Sequence, residues 1–443
     1  MNPFQRAKIL RSRRALQLRR ADGGAPQLPE EQRVPFHHKD ILWCILIAMV
    51  ARTTVLVRQR YASEFFSVDF SAMIAIILVG LGGLFVLINP RTRHTLAVTV
   101  GSSLGILFVY YLFCFVSSFW SLRPTYTAYR SVEVVALFAM ASVVLSYCRD
   151  FYHAEQICLR FFLVVIILSI MMNIKFGGIN LRSLHTNTYS IIAAMGSVYC
   201  YAERFFAKPV RKRMLGHYLL IFLFFLIIGT SAASNIATAL GLLLVMILVG
   251  RRSAVVLFFV VVAGAALYIS GSFEDALTQI LLPNKDVHSI RTMTGRSHLW
   301  NVYLRLFLES PVVGHGFAVV SRLGAQFGTV STTNAHNGFF EVLLGTGLFG
   351  AVLFVYWLAR LGVEALAAQR QKVLGGIGFL AAFIVVMANN MSKSIVGGAF
   401  DPSLVVFLVF LAFFIHYIRQ KVEVRGGLKK RFFSGRRRRP GSR

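Results

Sequence analysis

Acidic side chains are scarce in this chain. Its 443 residues hold 18 Asp plus Glu against 47 Lys plus Arg, a formal net charge of +29. The carboxylates on the side assigned below as external are Glu64, Asp69, Glu274, Asp275, Asp286, Glu309 and Asp401, with Glu341 just inside a helix. None of them cluster at metal-ligand spacing, and there is neither an H-E-x-x-H nor an Asp-x-Asp in an external loop. That pattern argues against a metal centre. Cysteine is also sparse. Cys44, Cys114, Cys148, Cys158 and Cys200 lie in or beside apolar stretches and form no C-x-x-C pair. They read as unpaired small apolar residues, not as a disulfide frame or a metal site. The one G-x-S-x-G run, Gly101–Gly105, falls inside an apolar span and not at a strand-to-helix elbow, which leaves Ser-His-Asp hydrolysis with little support. The first 40 residues contain no hydrophobic core near their start, so a cleavable signal peptide is not expected. No internal repeat of the inverted kind used by transporters stands out.

Apolar residues are plentiful. They make up 56% of the chain, with 39 Phe, above the level of soluble domains. Runs of about 20 apolar residues recur from Ile41 to Tyr417, the mark of a polytopic all-α membrane protein. About twelve spans are expected: 41–57, 68–88, 95–116, 131–147, 157–174, 188–206, 217–229, 232–250, 254–270, 336–359, 373–390 and 403–418. The seventh and eighth must cross twice within residues 217–250, fewer than two full crossings want. A tight hairpin turning at Gly229–Asn235 would satisfy this, and so would a re-entrant loop.

The charge is concentrated at the ends. Residues 1–40 carry nine Lys/Arg and Arg419–Arg443 carry eleven. Basic tails held on the cytoplasmic side of a membrane explain this better than nucleic-acid binding does. With both termini cytoplasmic, the internal loops hold 13 basic residues and the short external loops seven. The division is then a basic tail over 1–40, a membrane domain over 41–418 and a basic tail over 419–443. Residues 271–335 form one large periplasmic loop. External positive charge runs against the topological bias, which favours an anion site over headgroup snorkelling alone.

The stretch Gly271–Asn337 is the only long polar segment between two hydrophobic helices. Within it, Thr294 can cap an amphipathic helix over 298–308. Trp300, Leu304 and Phe307 share one face, widened by Leu299, Tyr303 and Leu306, and His298, Asn301, Arg305 and Glu309 share another. Such a helix suits the outer leaflet. Arg296 falls in its first turn, where free N–H groups and the helix dipole favour a phosphate. Pro311 stops the helix and Gly314-His315-Gly316 turns the chain. Thr333 or Asn334 can then cap the next span, putting His336 in its first turn. There the dipole keeps an imidazole neutral, the state a general base needs.

Two further external loops carry chemistry-bearing residues. Ser117–Pro124 leads to Arg130 and Glu133, one turn apart and able to pair; Arg123 lies in the same loop. Lys175–Asn187 offers Arg182, His185 and Asn187.

These residues resemble the O-antigen ligase family, which comprises lipopolysaccharide O-antigen ligases and related O-antigen and exopolysaccharide polymerases. The matching positions are Thr294, Gly295, Arg296, Trp300, Pro311, Gly314, Gly316, His336 and Asn337, followed by Gly345 and Gly347. The stretch Ser118–Ser121 through Pro124 and Arg130 looks like the exopolysaccharide-polymerase branch, as does Leu184-His185-Thr186-Asn187. The resemblance implies a metal-independent inverting glycosyltransferase of about twelve spans, with no cofactor. It implies a donor glycan on undecaprenyl diphosphate, and an acceptor that is either a lipid-linked repeat unit or lipid A core. His336 would deprotonate the acceptor hydroxyl, and Arg296, Arg291 and Arg182 would hold the diphosphate. Arg123, Arg130, Asn337, Glu341 and His185 would support them. One departure is clear: relatives often carry Arg after the hairpin serine, whereas Ser231 here is followed by Ala232.

The expected protein is therefore an inner-membrane polymerase of lipid-linked glycans, in contact with membrane lipids and not with nucleic acid. A ligase acting on lipid A core is the alternative. A flippase or transporter, the alternative of another class, calls for ionisable groups at mid-membrane. The ionisable groups within the spans, Arg52, Glu133 and Arg160 among them, lie toward helix ends.

Overall fold

The computed structural model describes residues 37–55, 70–177, 187–229, 231–250, 296–319, 335–398 and 400–422. Within them the ordered elements are helices, with no strand. In chain order these are α1 (His37–Val55), α2 (Phe70–Ile88), α3 (Thr92–Val100), α4 (Ser103–Val116), α5 (Pro124–Ser146), α6 (Phe151–Gly177) and α7 (Asn187–Arg204). They continue as α8 (Pro209–Gly229), α9 (Ala232–Val249), α10 (Arg296–Glu309), α11 (Gly338–Arg370), α12 (Gly376–Asn390) and α13 (Pro402–Phe413). Met1–Ile41 and Leu42–Arg443 form separate compact units. Of the first, only the opening residues of α1 are described.

Seven of the described helices are long and apolar enough to cross a membrane. An eighth candidate is the pair Thr92–Val100 and Ser103–Phe119, bent by 95°. Against the expectation of about twelve spans, the described residues contain seven or eight, so the count of twelve is not confirmed. The expected span at 254–270 lies outside them. Helix α1 carries Lys39, Asp40 and Arg52 near its ends, and α12 has only 15 residues. Helix α7 fails on polarity, for a physical reason. It is buried along almost its whole length, including Ser190, Ser197 and Glu203. A helix sheathed by protein need not satisfy lipid, so a hydropathy criterion does not describe it.

Of the two arrangements left open for 217–250, the structure gives two helices, one ending at Gly229 and the next starting at Ala232, inside the expected 229–235. Helix α8 starts at Pro209, eight residues before the expected 217, so two full-length helices fit. Each packs on α7, and α9 also packs on α12.

The core is α13. From Pro402 to Phe413 nearly every side chain is buried, enclosed by α5, α6 and α7. Phe379 of α12 stacks on Phe410 and Phe414, with ring centroids 5.0 and 3.9 Å away. The helix runs on through a π-helical turn, Phe414–Arg419, where Arg419 reaches Glu364 at 3.2 Å and the Gly101 carbonyl at 2.6 Å. Helices α2, α8 and α9 instead expose apolar rows such as Ile77, Leu84 and Leu87, or Leu220, Phe224 and Ile227, as lipid contact requires. None of the five cysteines forms a disulfide, and four of them are buried.

The end of the bundle away from His336 is braced by charge. Arg211 is buried and donates to Glu155 at 2.6 and 2.9 Å and to Glu203 at 2.8 Å. Tyr199 donates to Glu155 at 2.6 Å. Glu203 also accepts the N–H groups of Gly375 and Gly378, capping the start of α12. Arg211, one of the 13 basic residues expected in internal loops, instead lies in α8 and ties α6, α7 and α8 together.

Candidate functional site

The long polar segment returns to the bundle by docking on a broken helix. Within α11, Gly347 adopts φ 62°, ψ −165°, which is not helical. A break leaves carbonyls above it and N–H groups below it without helical partners. The turn after α10 supplies them. His315 and Gly316 donate their N–H groups to the carbonyls of Leu344 and Gly345 at 2.9 and 3.0 Å. Leu348 and Phe349 donate to the carbonyls of Pro311 and Val312 at 2.8 and 3.1 Å. Each such bond contributes on the order of 1 kcal/mol net, and leaving its partners unmade inside a membrane protein costs more. The backbones approach so closely that a Cβ at Gly314 would strike Gly345, Thr346 and Gly347, and one at Gly347 would strike Val312. This explains the paired G-x-G spacings at 314–316 and 345–347.

The Ser117–Pro124 loop joins the same assembly. Leu122 donates its N–H to the His315 carbonyl at 3.2 Å. Trp120 donates Nε1–H to the Val313 carbonyl at 3.2 Å, and Thr127 donates to the Phe317 carbonyl at 3.0 Å. Ser117 accepts the Phe317 N–H at 3.1 Å. Two motifs about 190 residues apart in sequence are thus one structural unit. Arg123 ends this loop as the residue before α5, exposed. Arg130 pairs with Glu133 at 2.6 Å, as the one-turn spacing predicts. Glu133 is fully buried and also faces Arg52 at 3.6 Å and Tyr129 at 3.1 Å.

Helix α10 starts at Arg296 and ends at Glu309, two residues earlier and one later than the spacing predicts. Leu299 and Tyr303 are buried against Ala335 and Leu344, with Trp300, Leu306, Phe307 and Phe340 packed around them. Trp300 stacks on Phe340 at 5.6 Å and donates Nε1–H to the Ala335 carbonyl at 3.1 Å. Asn301, Arg305 and Glu309 are exposed, as expected, but so is Leu304, at the edge of the expected apolar face. The apolar side therefore serves mainly to dock α10 on α11. The His315 ring bonds the Leu306 carbonyl at 2.7 Å, one of the carbonyls the helix end leaves without an internal partner.

His336 lies just before α11, not in its first turn. The cap is Asn337, whose Oδ1 accepts the N–H groups of Phe339 and Phe340 at 2.9 and 3.3 Å. His336 itself has φ 49°, a left-handed conformation uncommon for a residue with a Cβ. Glu341 is buried and accepts the Ala335 N–H at 2.8 Å and the Ser394 hydroxyl at 3.4 Å. Asn390 accepts the N–H groups of Ile395 and Val396, both at 2.9 Å, and so folds the α12–α13 loop beside Gly338. In that loop Lys393 meets Asp401 at 3.0 Å and Thr188 at 2.8 Å. Ser231 donates to Asn187 at 2.7 Å, joining the starts of α7 and α9.

The site residues expected from sequence divide as follows. His336, Asn337 and Glu341 come together at the head of α11. Arg296 opens α10, whose Trp300 touches Ala335. Arg123 and Arg130 flank the start of α5. Arg182, His185 and Arg291 lie outside the described residues, as do Thr294, Thr333 and Asn334. Among the described residues, no three of His, Cys, Asp and Glu lie close enough to share a metal ion. Ser394 and Asn390 were missed in the sequence; their only signal was the polar cluster Asn389–Ser394 after an apolar run.

Apolar helices, a loop-sealed broken helix and a histidine at its head define an integral membrane protein with a polar site at one end of the bundle. Residues 217–355 match the family model described as O-antigen ligase. That segment takes in most of α8, all of α9 and α10, His336 and the break in α11, and over it the chain is similar to that family. No curated protein matches the chain significantly.

Proposed function

We propose that the protein transfers a glycan from an undecaprenyl-diphosphate-linked saccharide to an acceptor sugar hydroxyl at the periplasmic face of the bacterial inner membrane. Both termini face the cytoplasm in this reading. His336 takes the proton of the acceptor hydroxyl. The acceptor oxygen bonds to the anomeric carbon from the face opposite the leaving group, the bond from that carbon to the diphosphate oxygen breaks, and the configuration inverts. Arg296, Arg291 and Arg182 carry the charge that develops on the diphosphate, without a metal ion. The observation that carries the reading is the hydrogen bond from Trp300 to the Ala335 carbonyl. It ties the helix headed by Arg296, one turn before Trp300, to the residue next to His336.

Polymerisation of lipid-linked repeats is the first reading, from the Ser118–Arg130 stretch. Ligation to lipid A core is the second, favoured by the description of the matching family. A strain lacking the protein separates them. Single lipid-linked repeats accumulate if it is a polymerase; full-length chains unattached to lipid A accumulate if it is a ligase. His336→Ala and Arg296→Ala should abolish glycan output while the protein still inserts. Unchanged output from both would refute the reading. Activity should also survive chelators, and a strict need for a divalent ion would contradict the arginine assignment.

A further inference from the structure

Glu341 has no part in the transfer chemistry just described, yet it is buried at the head of α11 with its carboxylate turned back toward His336. Its Oε1 accepts the Ala335 N–H at 2.8 Å, and its own N–H donates to the Asn337 carbonyl at 3.1 Å. Asn337 in turn accepts from Phe339 and Phe340. The residues on both sides of His336 are therefore tied to the first turn of the helix. Ala335 is held on two sides at once, since its carbonyl also accepts from Trp300 at 3.1 Å. Between these ties His336 takes its left-handed backbone, φ 49°. Such a conformation persists only where the surroundings over-determine it.

We infer that Glu341 is a positioning residue that fixes the direction of the His336 side chain by anchoring the Ala335 N–H. This rests on the assignment of His336 as the base. Left without the anchor, residues 335–336 relax toward an ordinary extended backbone and the imidazole swings away from the acceptor. Ser394, 3.4 Å from the same Oε1, steadies the carboxylate from the α12–α13 loop. What the backbone needs at this point is an acceptor oxygen of the right reach, not a negative charge. Glutamine supplies one; alanine does not, and aspartate is one methylene short.

The test measures transfer in purified, membrane-reconstituted full-length protein, with the polyprenyl-diphosphate-linked saccharide as donor. Glu341→Ala should lower kcat about 100-fold, the scale for a displacement near 1 Å at a catalytic group, with KM for the donor nearly unchanged. Glu341→Asp should fall between the two, and Glu341→Gln should stay within a few-fold of the parent. The residual rate of His336→Ala in the reconstituted assay should not fall further when E341A is added, because a residue acting through His336 has nothing left to position. A purely structural role predicts instead a lowered Tm and an equal further loss in that background. E341A with parental kcat, or E341Q as impaired as E341A, overturns the inference. His336→Ala with full activity overturns the base assignment itself, a separate and distinguishable failure.

Discussion

The N–H of His315 donates to the carbonyl of Leu344 at 2.9 Å, joining a turn that follows one helix to the interior of another. This contact exists only because α11 is broken at Gly347, and it fixes how α10 sits relative to His336. An intact helix would use the Leu344 carbonyl for its own N–H at position 348. That N–H instead donates to Pro311 at 2.8 Å.

Gly347→Ala should therefore be disruptive beyond its size. At φ 62°, ψ −165° the backbone is in a region essentially confined to glycine, so alanine costs on the order of 1–3 kcal/mol by itself, and its Cβ would meet the Val312 backbone, which cannot swing aside as a side chain can. We expect a clear drop in Tm in detergent and loss of glycan output. Gly362→Ala in the same helix is the control. Its Cβ would meet only a ring carbon of Phe383 at 3.9 Å, and alanine favours helix by roughly 0.5–1 kcal/mol. It should leave Tm equal or higher. Equal behaviour of the two variants would mean that the break does not organise the loop.

Local chemistry made parts of this arrangement readable in the sequence. Arg130 and Glu133 pair because helical periodicity places residues three apart on one face. The extent of α10 follows from apolar spacing and a proline stop. What the sequence hides is the identity of distant partners. Gly345 and Gly347 stand out as glycines, but nothing local says that Pro311–Gly316 fills the gap they make. The span at 188–206 was legible in the sequence, but that α7 is sheathed by protein and not by lipid was not. The head of α11 was misread by three or four residues because Thr333, Asn334 and Asn337 are all good caps; only the bonds to Phe339 and Phe340 choose among them. The burial of Arg211 is not legible in the sequence because its partner Glu155 lies 56 residues before it.

That buried network yields a second prediction, at the end of the bundle remote from His336. Arg211→Met should leave Glu155 and Glu203 buried without their cation, a loss of about 3–5 kcal/mol in stability. Glu203 would keep the Gly375 and Gly378 N–H groups, but Glu155 would keep only Tyr199 among the partners described above. The measurable result is a large fall in Tm and in the amount of protein in the membrane. The triple variant R211M/E155Q/E203Q removes the charges together and should recover most of that loss. Protein that does accumulate should transfer glycan at a near-parental rate per molecule, because the network does not touch the head of α11. An R211M protein that melts like the parent would show that the cluster contributes little.

Trp300 offers the sharpest separation of packing from placement. Its ring stacks on Phe340 at 5.6 Å and lies in the cluster with Leu299, Tyr303, Ala335 and Leu344, while its Nε1–H reaches the Ala335 carbonyl at 3.1 Å. Trp300→Phe keeps an aromatic ring over Phe340 and deletes the donor. Losing a neutral hydrogen bond of this kind costs on the order of 1 kcal/mol, with some further loss from the smaller ring, so the protein should still fold and insert. Its transfer rate should fall by more than that modest change in stability explains, since Ala335 would lose one of the two ties that set the His336 backbone. Trp300→Ala removes both functions, and both Tm and rate should fall together. The comparison is read as kcat against Tm for the two variants. If W300F lowers Tm yet leaves kcat untouched, the Trp300–Ala335 bond is a packing contact alone, and the link it makes between the Arg296 helix and His336 carries no catalytic weight.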